Sequence, residues 1–163
     1  MPFAVDSSGH VSNSPVIISS QSKLVLHIGI NLLRSDGSAL ITDSSFGASI
    51  VNVDSKFETA EVHHVSLPNQ GAACWATYML HHDAVYVIDA GHANIALLDP
   101  VSGDIKGAIQ YETDTMRRID TIPDRQWLYL LTADTSVVVV DFEDNGGSEL
   151  QHYSLEGEGQ PKH

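Results

Sequence analysis

The sequence is poor in cysteine, in basic residues and in long apolar runs, and each shortage excludes a class of protein. Cys74 is the only cysteine, which rules out an intrachain disulfide framework and a zinc site built from cysteines. Lysine and arginine number 8 against 21 aspartate and glutamate, so the net charge of -13 leaves no basic face for nucleic acid or anionic membranes. No apolar run approaches the roughly 20 residues that span a bilayer. We therefore expect neither a nucleic-acid partner nor a membrane partner.

Sequence features of export are also missing. Residues 1–6 lack a basic region followed by an apolar core, and no asparagine lies in an Asn-X-Ser/Thr glycosylation site. As written, the sequence predicts a cytoplasmic protein, and a secreted one if the chain is a fragment of a longer family member. Hydrophobic residues make up 42% of the chain, which is enough to build a core.

A repeat of hairpins runs along the chain. In each unit an apolar run is followed by a short turn and by a second apolar run that ends in aspartate. The spacing of these aspartates matches the roughly 40–50 residues of a propeller blade. The three hairpins cover residues 39–54, 84–99 and 128–141, and they end at Asp54, Asp99 and Asp141.

A further strand-like run lies on either side of each hairpin, and four strands per unit is the composition of a propeller blade. We predict an all-β fold of about three four-stranded antiparallel blades, which is half of a β-propeller. The predicted single domain, 1–163, divides into an irregular segment or partial blade (1–22), blade 1 (23–67), blade 2 (70–113), blade 3 (116–156) and a tail (157–163).

Two smaller expectations concern individual segments. The runs Val85–Ile88 and Val137–Val140 are continuously apolar, which predicts strands covered on both faces by neighbouring blades. The serine-rich residues 12–15 predict a loop.

Three blades are too few to close a ring, because propellers use about four to eight blades around a central channel. The arc would leave two wide apolar faces open to water. We expect two copies to associate through these open edges as a homodimer with six blades. The alternative is that the chain forms part of a longer propeller.

Several segments carry a resemblance to a known family. Residues 41–51 (Ile-Thr-Asp-Ser-Ser-Phe-Gly-Ala-Ser-Ile-Val) and 68–75 (Pro-Asn-Gln-Gly-Ala-Ala-Cys-Trp) resemble fungal 3-carboxymuconate cyclase-like or lactonase-like propellers, as do 87–91 and 127–132. The similarity covers about residues 33–155 and corresponds to the C-terminal half of such a protein. It implies a cyclase, isomerase or lactonase without a metal or organic cofactor. The substrate would be a small organic acid, a lactone or a secondary-metabolite intermediate, bound at the propeller axis.

Asp89, His92 and Arg118 are the candidate catalytic residues. Asp89 ends a strand, as Asp43 does in the preceding blade, and carboxylates at strand ends can act as acid or base at a channel mouth. The alternative is that these aspartates cap the turns that follow them. Arg118 can hold a carboxylate substrate through paired hydrogen bonds, or it can form a solvated ion pair.

The candidate ligand-binding residues lie on or beside predicted inner strands, which border the channel of a propeller. Trp75 can bind a flat ligand there, or it can pack between blades. The full set is His27, Asn31 and Arg34 in blade 1, Gln70, Trp75 and Tyr78 in blade 2, and Asp120 in blade 3.

Nine histidines raise the question of a metal site. His63 and His64 are adjacent, as are His81 and His82, and adjacent residues of a strand point to opposite faces. A metal would therefore need one histidine from each pair to converge with a further ligand such as His92. No ligand spacing of a known metal motif supports this arrangement, so we expect no metal.

Two functions of different classes follow. An enzyme would bring polar and aromatic residues together in one pocket. A non-catalytic propeller module that binds a protein or a small ligand would instead spread Arg118, Trp75 and Asp89 among separate packing and turn roles.

Overall fold

A computed structural model describes residues 3–5, 7–15, 26–33, 37–54, 60–92, 94–110, 118–143 and 147–156. These residues form fourteen β-strands and no helix. β1 (Phe3–Val5) and β2 (Val11–Pro15) form a hairpin. Blade 1 contains β3 (His27–Leu32), β4 (Ala39–Asp43), β5 (Gly47–Val53) and β6 (Ala60–Ser66). Blade 2 contains β7 (Ala73–Met79), β8 (Ala84–Asp89), β9 (Asn94–Leu98) and β10 (Ile105–Gln110). Blade 3 contains β11 (Arg118–Asp124), β12 (Trp127–Thr132), β13 (Ser136–Asp141) and β14 (Ser148–Ser154).

Each blade is a four-stranded antiparallel sheet whose strands lie side by side in chain order. The same pairing holds in blade 2. The predicted all-β fold with three four-stranded blades is therefore confirmed. The first strand of blade 2, β7, lies against both β3 and β11, so the first strands of the blades are neighbours along the inner side of the arc.

The prediction of a loop at residues 12–15 is wrong. These residues belong to β2, which pairs antiparallel with β1, with Phe3 opposite Pro15 and Val5 opposite Val11. Backbone pairing between strands uses no side chain, so serine-rich sequence does not prevent it.

Two apolar layers fill the spaces between blades. The first lies between blades 1 and 2 and includes Leu40 and Ile50 on one side and Val85 and Val87 on the other. The second lies between blades 2 and 3 and includes Tyr86. Blades 1 and 3 each contact one of these layers, and blade 2 contacts both, one on each of its faces.

The middle position of blade 2 decides how its strands are buried. All six residues of β8 are buried, which confirms the prediction that 85–88 is covered on both faces. The same prediction is wrong for 137–140, because β13 alternates between buried and half-buried residues. Val138 and Val140 face blade 2, whereas Val137 and Val139 lie on a face that no described part of the chain covers.

A polar turn joins β9 to β10. The contacts of Asp99 in this turn predict that the stability of the folded chain depends on pH. Asp99 accepts hydrogen bonds from the amides of Ser102 and Val101 at 2.9 Å each, and it pairs with the Lys106 Nζ at 3.0 Å. These contacts, the Ser102 amide first, hold the pKa of the Asp99 carboxyl well below its usual range.

Because the pKa of Asp99 is lower in the folded chain than in the unfolded chain, its stabilising effect is complete above the unfolded pKa of about 3.9. We expect this contribution to be lost as the pH falls below about 4. Urea unfolding of the wild type and of Asp99→Asn at pH values between about 5 and 2 measures it. The stability difference between the two proteins should shrink towards low pH, and a constant difference would contradict the assignment.

Candidate functional site

The carboxylate of Asp89 is enclosed by backbone amides at the end of β8. Its Oδ2 accepts the Gly71 amide at 2.7 Å, and its Oδ1 accepts the amides of Ala72 at 2.7 Å and Gly91 at 2.8 Å. The His92 amide donates to the same Oδ1 at 3.2 Å. Asp89 is only 3% exposed, so these bonds satisfy a buried charge. The side chain ties the segment that enters β7 to the turn that follows β8.

Two glycines allow this corner to form. The backbones of Gly71 and Gly91 approach so closely that a Cβ built on Gly91 would lie 2.6 Å from the carbonyl carbon of Gly71. Side chains at these positions would separate the two segments that Asp89 joins.

Blade 1 repeats the arrangement. Asp43 also ends a second strand, is fully buried, and accepts the amides of Leu26 and Ser45 at 2.9 Å each. In blade 3 the second strand ends at Thr132, whose hydroxyl oxygen accepts the Ser136 amide at 3.1 Å. The geometry therefore supports turn capping by Asp89, and its catalytic role stays a prediction.

His92 lies beside Asp89 at the surface. Its Nδ1 is 3.0 Å from the backbone oxygen of Asn69, to which it donates when protonated, and 3.5 Å from the Asp89 Oδ2. The imidazole is 56% exposed. The structure thus brings together two of the three candidate catalytic residues. The third, Arg118, pairs with Thr132 through its backbone at the start of β11, and its side chain lies outside the described residues.

The candidate ligand-binding residues of the inner strands make contacts between blades. Asn31 on β3 donates its Nδ2 to the backbone oxygen of Ala76 on β7 at 3.2 Å. Gln70 donates its Nε2 to the Ser44 oxygen of blade 1 at 3.1 Å, and its Oε1 accepts the Ala73 amide at 2.9 Å. Trp75 is half-buried and packs against the layer between blades 2 and 3. These three side chains hold neighbouring blades together.

The remaining candidates are dispersed. His27 is exposed at the start of β3, opposite Asp43. Asp120 is exposed on β11 and accepts the amide of Thr121 at 2.7 Å. Tyr78 lies near the far end of β7 from the Asp89 corner, about 15 Å away at the usual rise of a strand. Arg34 lies outside the described residues. Gln70, Asp89 and His92 therefore lie at one corner before β7, whereas Tyr78 and Asp120 line separate hollows.

A hollow that the sequence did not indicate opens at the other end of β7. It has a volume of about 590 Å³ and lies where the turn after β7 faces the end of β11 and the turn after it. Of its residues, only Tyr78 was among the predicted site residues. The lining consists of Tyr78, Met79, Leu80 and His81 from blade 2 and Pro123 and Arg125 from blade 3.

The turns that border this hollow have unusual backbone conformations. Asp83 and Arg125 are in the left-handed region, with φ of 44° and 57°. Asp83 accepts a hydrogen bond from the Tyr78 hydroxyl at 2.7 Å, which fixes the aromatic ring at the wall of the hollow. Leu80 is 81% exposed at the tip of its turn. Positive φ also occurs at Asn69 and Thr135 in other turns, so this conformation is a feature of the turns of the blades.

Charged residues of both signs lie around the hollow, because the segments that border it also carry the carboxylates of Asp83 and Asp124. His81 and Arg125 are both exposed and lie on its rim, in a chain whose net charge is -13. The exposed apolar side chain between them is that of Leu80, with the half-buried Pro123 opposite, whereas Met79 is 1% exposed. An apolar wall beside an arginine suits a ligand that has an apolar body and an anionic group.

Two reactive side chains elsewhere, Cys74 and Tyr86, are held in their protonated forms by burial. Burial, aided by the nearby charge of Asp89, raises the pKa of the Cys74 thiol, so little of it is the nucleophilic thiolate. Burial also raises the pKa of Tyr86 to about 12, and its hydroxyl lies 3.2 Å from the His82 Nδ1. These positions contribute to packing.

No three His, Cys, Asp or Glu side chains converge to hold a metal ion in the part of the chain that the structure describes. Nor do the described residues include a helix with the length and apolarity to cross a bilayer.

Comparison with known proteins shows the fold. No protein-family model and no curated protein matches the chain. Solved β-propellers do: apo AztD from Citrobacter koseri (18% identity, TM-score 0.56, covering 81% of this chain and 36% of that one), a second AztD structure from that organism (18%, 0.54, 95% and 40%), and YCF48 bound to a D1 peptide (11%, 0.55, 74% and 38%).

At these identities the likeness shows the propeller fold alone, and none of the comparisons shows the fungal 3-carboxymuconate cyclase-like family. The chain spans about 36 to 40% of the length of these structures. It therefore corresponds to an arc of a propeller.

Proposed function

We propose that this propeller arc is a non-catalytic binding module, and that its site is the hollow between blades 2 and 3. The observation that carries the proposal is the apolar wall with an arginine at its rim, formed by Leu80, Pro123 and Arg125. Two of the residues expected at the active site of an enzyme have structural roles, because Asp89 caps a corner and Trp75 packs between blades. The roles of Asp89 and Trp75 agree with the binding-module hypothesis, and the role of Arg118 stays a prediction.

The proposed ligand class is a small molecule or a peptide segment with an apolar body and a carboxylate or similar anion. The apolar body would lie along Leu80 and Pro123, where burial of carbon surface contributes about 25 cal/mol per Å². The anion would lie at Arg125, whose planar guanidinium can donate two parallel hydrogen bonds to a carboxylate. The peptide bound by YCF48 in its structure gives a precedent for peptide binding by the fold.

A binding experiment with a defined probe tests the site. Naphthalene-2-carboxylate has an aromatic body and one carboxylate, and titration into isotope-labelled protein should shift the NMR amide signals of residues 79–83 and 123–126. We expect Arg125→Ala to weaken binding about three- to five-fold, because an exposed ion pair contributes up to about 1 kcal/mol. Leu80→Asp should weaken it more, since it replaces part of the apolar wall with a repelling charge.

Lys106→Ala is the matched control. It removes another exposed cation, which pairs with Asp99 outside the hollow, and it should leave the affinity unchanged. Equal weakening by Lys106→Ala and Arg125→Ala would show only a general charge effect. No saturable shift in residues 79–83 would overturn the proposed site.

The second candidate function is the cyclase, isomerase or lactonase that the family resemblance implies. The contact between His92 and Asp89 favours it, since these are the described side chains that could transfer a proton at that end of β7. Incubation with 3-carboxymuconate and with simple γ-lactones, followed by ultraviolet absorbance, tests it. Turnover that His92→Ala abolishes would establish catalysis and contradict the binding-module proposal.

We also propose that the working unit is a homodimer with six blades. Its support is the large apolar surface left uncovered on blades 1 and 3, which include exposed side chains such as Leu32 and Ile122. A single folded chain rarely keeps patches of this kind in water.

A further inference from the structure

The outer face of each end blade is apolar. On blade 1, Ile30 and Leu32 are 71% and 73% exposed, and pairing across the sheet places Ile41 opposite Ile30. On blade 3, Ile122 is 68% exposed and lies opposite Tyr129. We call these surfaces the blade 1 open face (Ile28, Ile30, Leu32, Ile41 and Val51) and the blade 3 open face (Ile122, Tyr129, Leu131, Val137 and Val139).

The two junctions inside the chain follow one rule. In blade 2, residues one and three positions before the end of the second strand, Ile88 and Tyr86, face blade 3. The alternate residues, Val87 and Val85, face blade 1. We call the side of a blade that faces the next blade in the chain its forward side, and the side that faces the preceding blade its backward side. Each junction inside the chain joins the forward side of one blade to the backward side of the next.

The two open faces are of complementary types under this rule. Ile41 lies two positions before Asp43 and therefore corresponds to Val87 of blade 2. The blade 1 open face is thus the backward side of its blade. Leu131 lies one position before Thr132 and corresponds to Ile88, so the blade 3 open face is the forward side of its blade. The chain therefore exposes one face of each type that meets inside it.

The position of the inner strands sharpens the match. In both internal junctions the first strand of a blade lies against the first and second strands of the blade before it: β7 on β3 and β4, and β11 on β7 and β8. A blade docked on the blade 3 open face would place its first strand over β11 and β12. A recess of about 180 Å³ lies there, lined by Asp120, Thr121, Ile122, Tyr129, Leu130, Leu131 and Val137.

We infer that a second copy of this chain covers both open faces, with the blade 1 open face of each copy seated on the blade 3 open face of the other. The inference rests on the homodimer proposed above and fixes its mode of association. The protruding Ile30 and Leu32 of β3 enter the recess between β11 and β12 of the partner copy. Two such junctions close a ring of six blades, within the usual range of about four to eight, whereas three copies would give nine.

Pairing of like faces is the competing arrangement, and single-face variants separate the two. Ile30→Asp/Leu32→Asp disables the blade 1 open face, and Ile122→Asp disables the blade 3 open face. All three side chains are exposed in the single chain, so the substitutions leave its core intact. In the inferred ring each variant spoils both junctions. If like faces paired, each variant would keep one intact junction and remain a dimer.

Size-exclusion chromatography with light scattering, at several protein concentrations, is the test. We expect the wild type at twice 17.6 kDa and each face variant at 17.6 kDa. A mixture of the two variants should associate again, because one intact face of each remains and these two are complementary. Val101→Asp is the control, since Val101 is 61% exposed in the turn between β9 and β10 and should leave the mass of the dimer unchanged.

A wild type that stays at 17.6 kDa at every concentration overturns the inference and means that other blades or another protein cover the faces. Face variants that keep the doubled mass overturn the pairing mode. The hollow lies between blades 2 and 3 of one chain, so naphthalene-2-carboxylate should still bind to monomeric Ile30→Asp/Leu32→Asp. Retained binding with a monomeric wild type would contradict only the dimer, and a dimer without binding would contradict only the proposed function.

Discussion

Asp89→Ala should lower the free energy of unfolding by about 4 kcal/mol, because it leaves four backbone amides without their common acceptor. A hydrogen bond to a charged acceptor contributes about 1.5–3 kcal/mol, and the donors share one carboxylate, so the four losses do not add fully. Water can reach only part of the corner, since Asp89 is buried. Urea unfolding followed by tryptophan fluorescence, at a fixed protein concentration, measures the change.

Two further variants isolate the cause. Asp141→Ala removes an aspartate at the end of β13 that accepts one amide, from Glu143 at 2.9 Å, and should cost about 1 kcal/mol. Asp89→Asn keeps one carbonyl acceptor and should fall between the two. If Asp89→Ala is no more destabilising than Asp141→Ala, the corner does not depend on this carboxylate, and the interpretation of Asp89 as a catalytic residue becomes the stronger one.

Gly91→Ala should destabilise the protein by about 2–3 kcal/mol, the usual range for forcing extra atoms into a packed site. The new Cβ would lie 2.6 and 2.7 Å from the carbonyl carbon and Cα of Gly71 and 2.8 Å from the nitrogen of Ala72. All three are backbone atoms, so a rotamer change cannot relieve the contact. The two segments must separate, which also lengthens the hydrogen bonds to Asp89.

Gly107→Ala is the matched control for this substitution. A Cβ at Gly107, in β10, would meet no atom within 4 Å. Alanine should therefore be neutral there or add up to about 1 kcal/mol by restricting the unfolded chain. Equal destabilisation by the two alanines in thermal unfolding would show that the close approach of Gly71 and Gly91 has no role.

The repeat made the fold predictable from the sequence. Hairpins ending at Asp54, Asp99 and Asp141 recur at the spacing of propeller blades, and the structure places all three in four-stranded antiparallel sheets. Burial of 85–88 followed from its continuous apolar character. Full burial was also predicted for residues 137–140, but these residues alternate between buried and half-buried. An apolar run shows that a strand can be covered but does not show which neighbour covers it.

The candidate site was less predictable for a physical reason. The hollow joins two turns that lie more than forty residues apart in the chain, around Leu80 and Arg125, and neither turn carries a motif of its own. Tyr78 lies on a predicted inner strand, and it is the predicted ligand-binding residue that borders the hollow. The place of Asp89 at the end of a strand predicts turn capping as an alternative, but its four amide donors depend on a backbone approach that only the fold reveals.

The rule that every junction joins a forward side to a backward side also bears on how such proteins change by duplication. Copying a whole blade adds one face of each type, so the enlarged arc still ends in a complementary pair. Each blade also brings its own polar corner, as Asp43 and Asp89 do, so the copied unit needs no new turn chemistry. Gain or loss of complete repeats therefore changes the length of the arc without redesign of any interface, whereas loss of a single strand would expose an unpaired sheet edge.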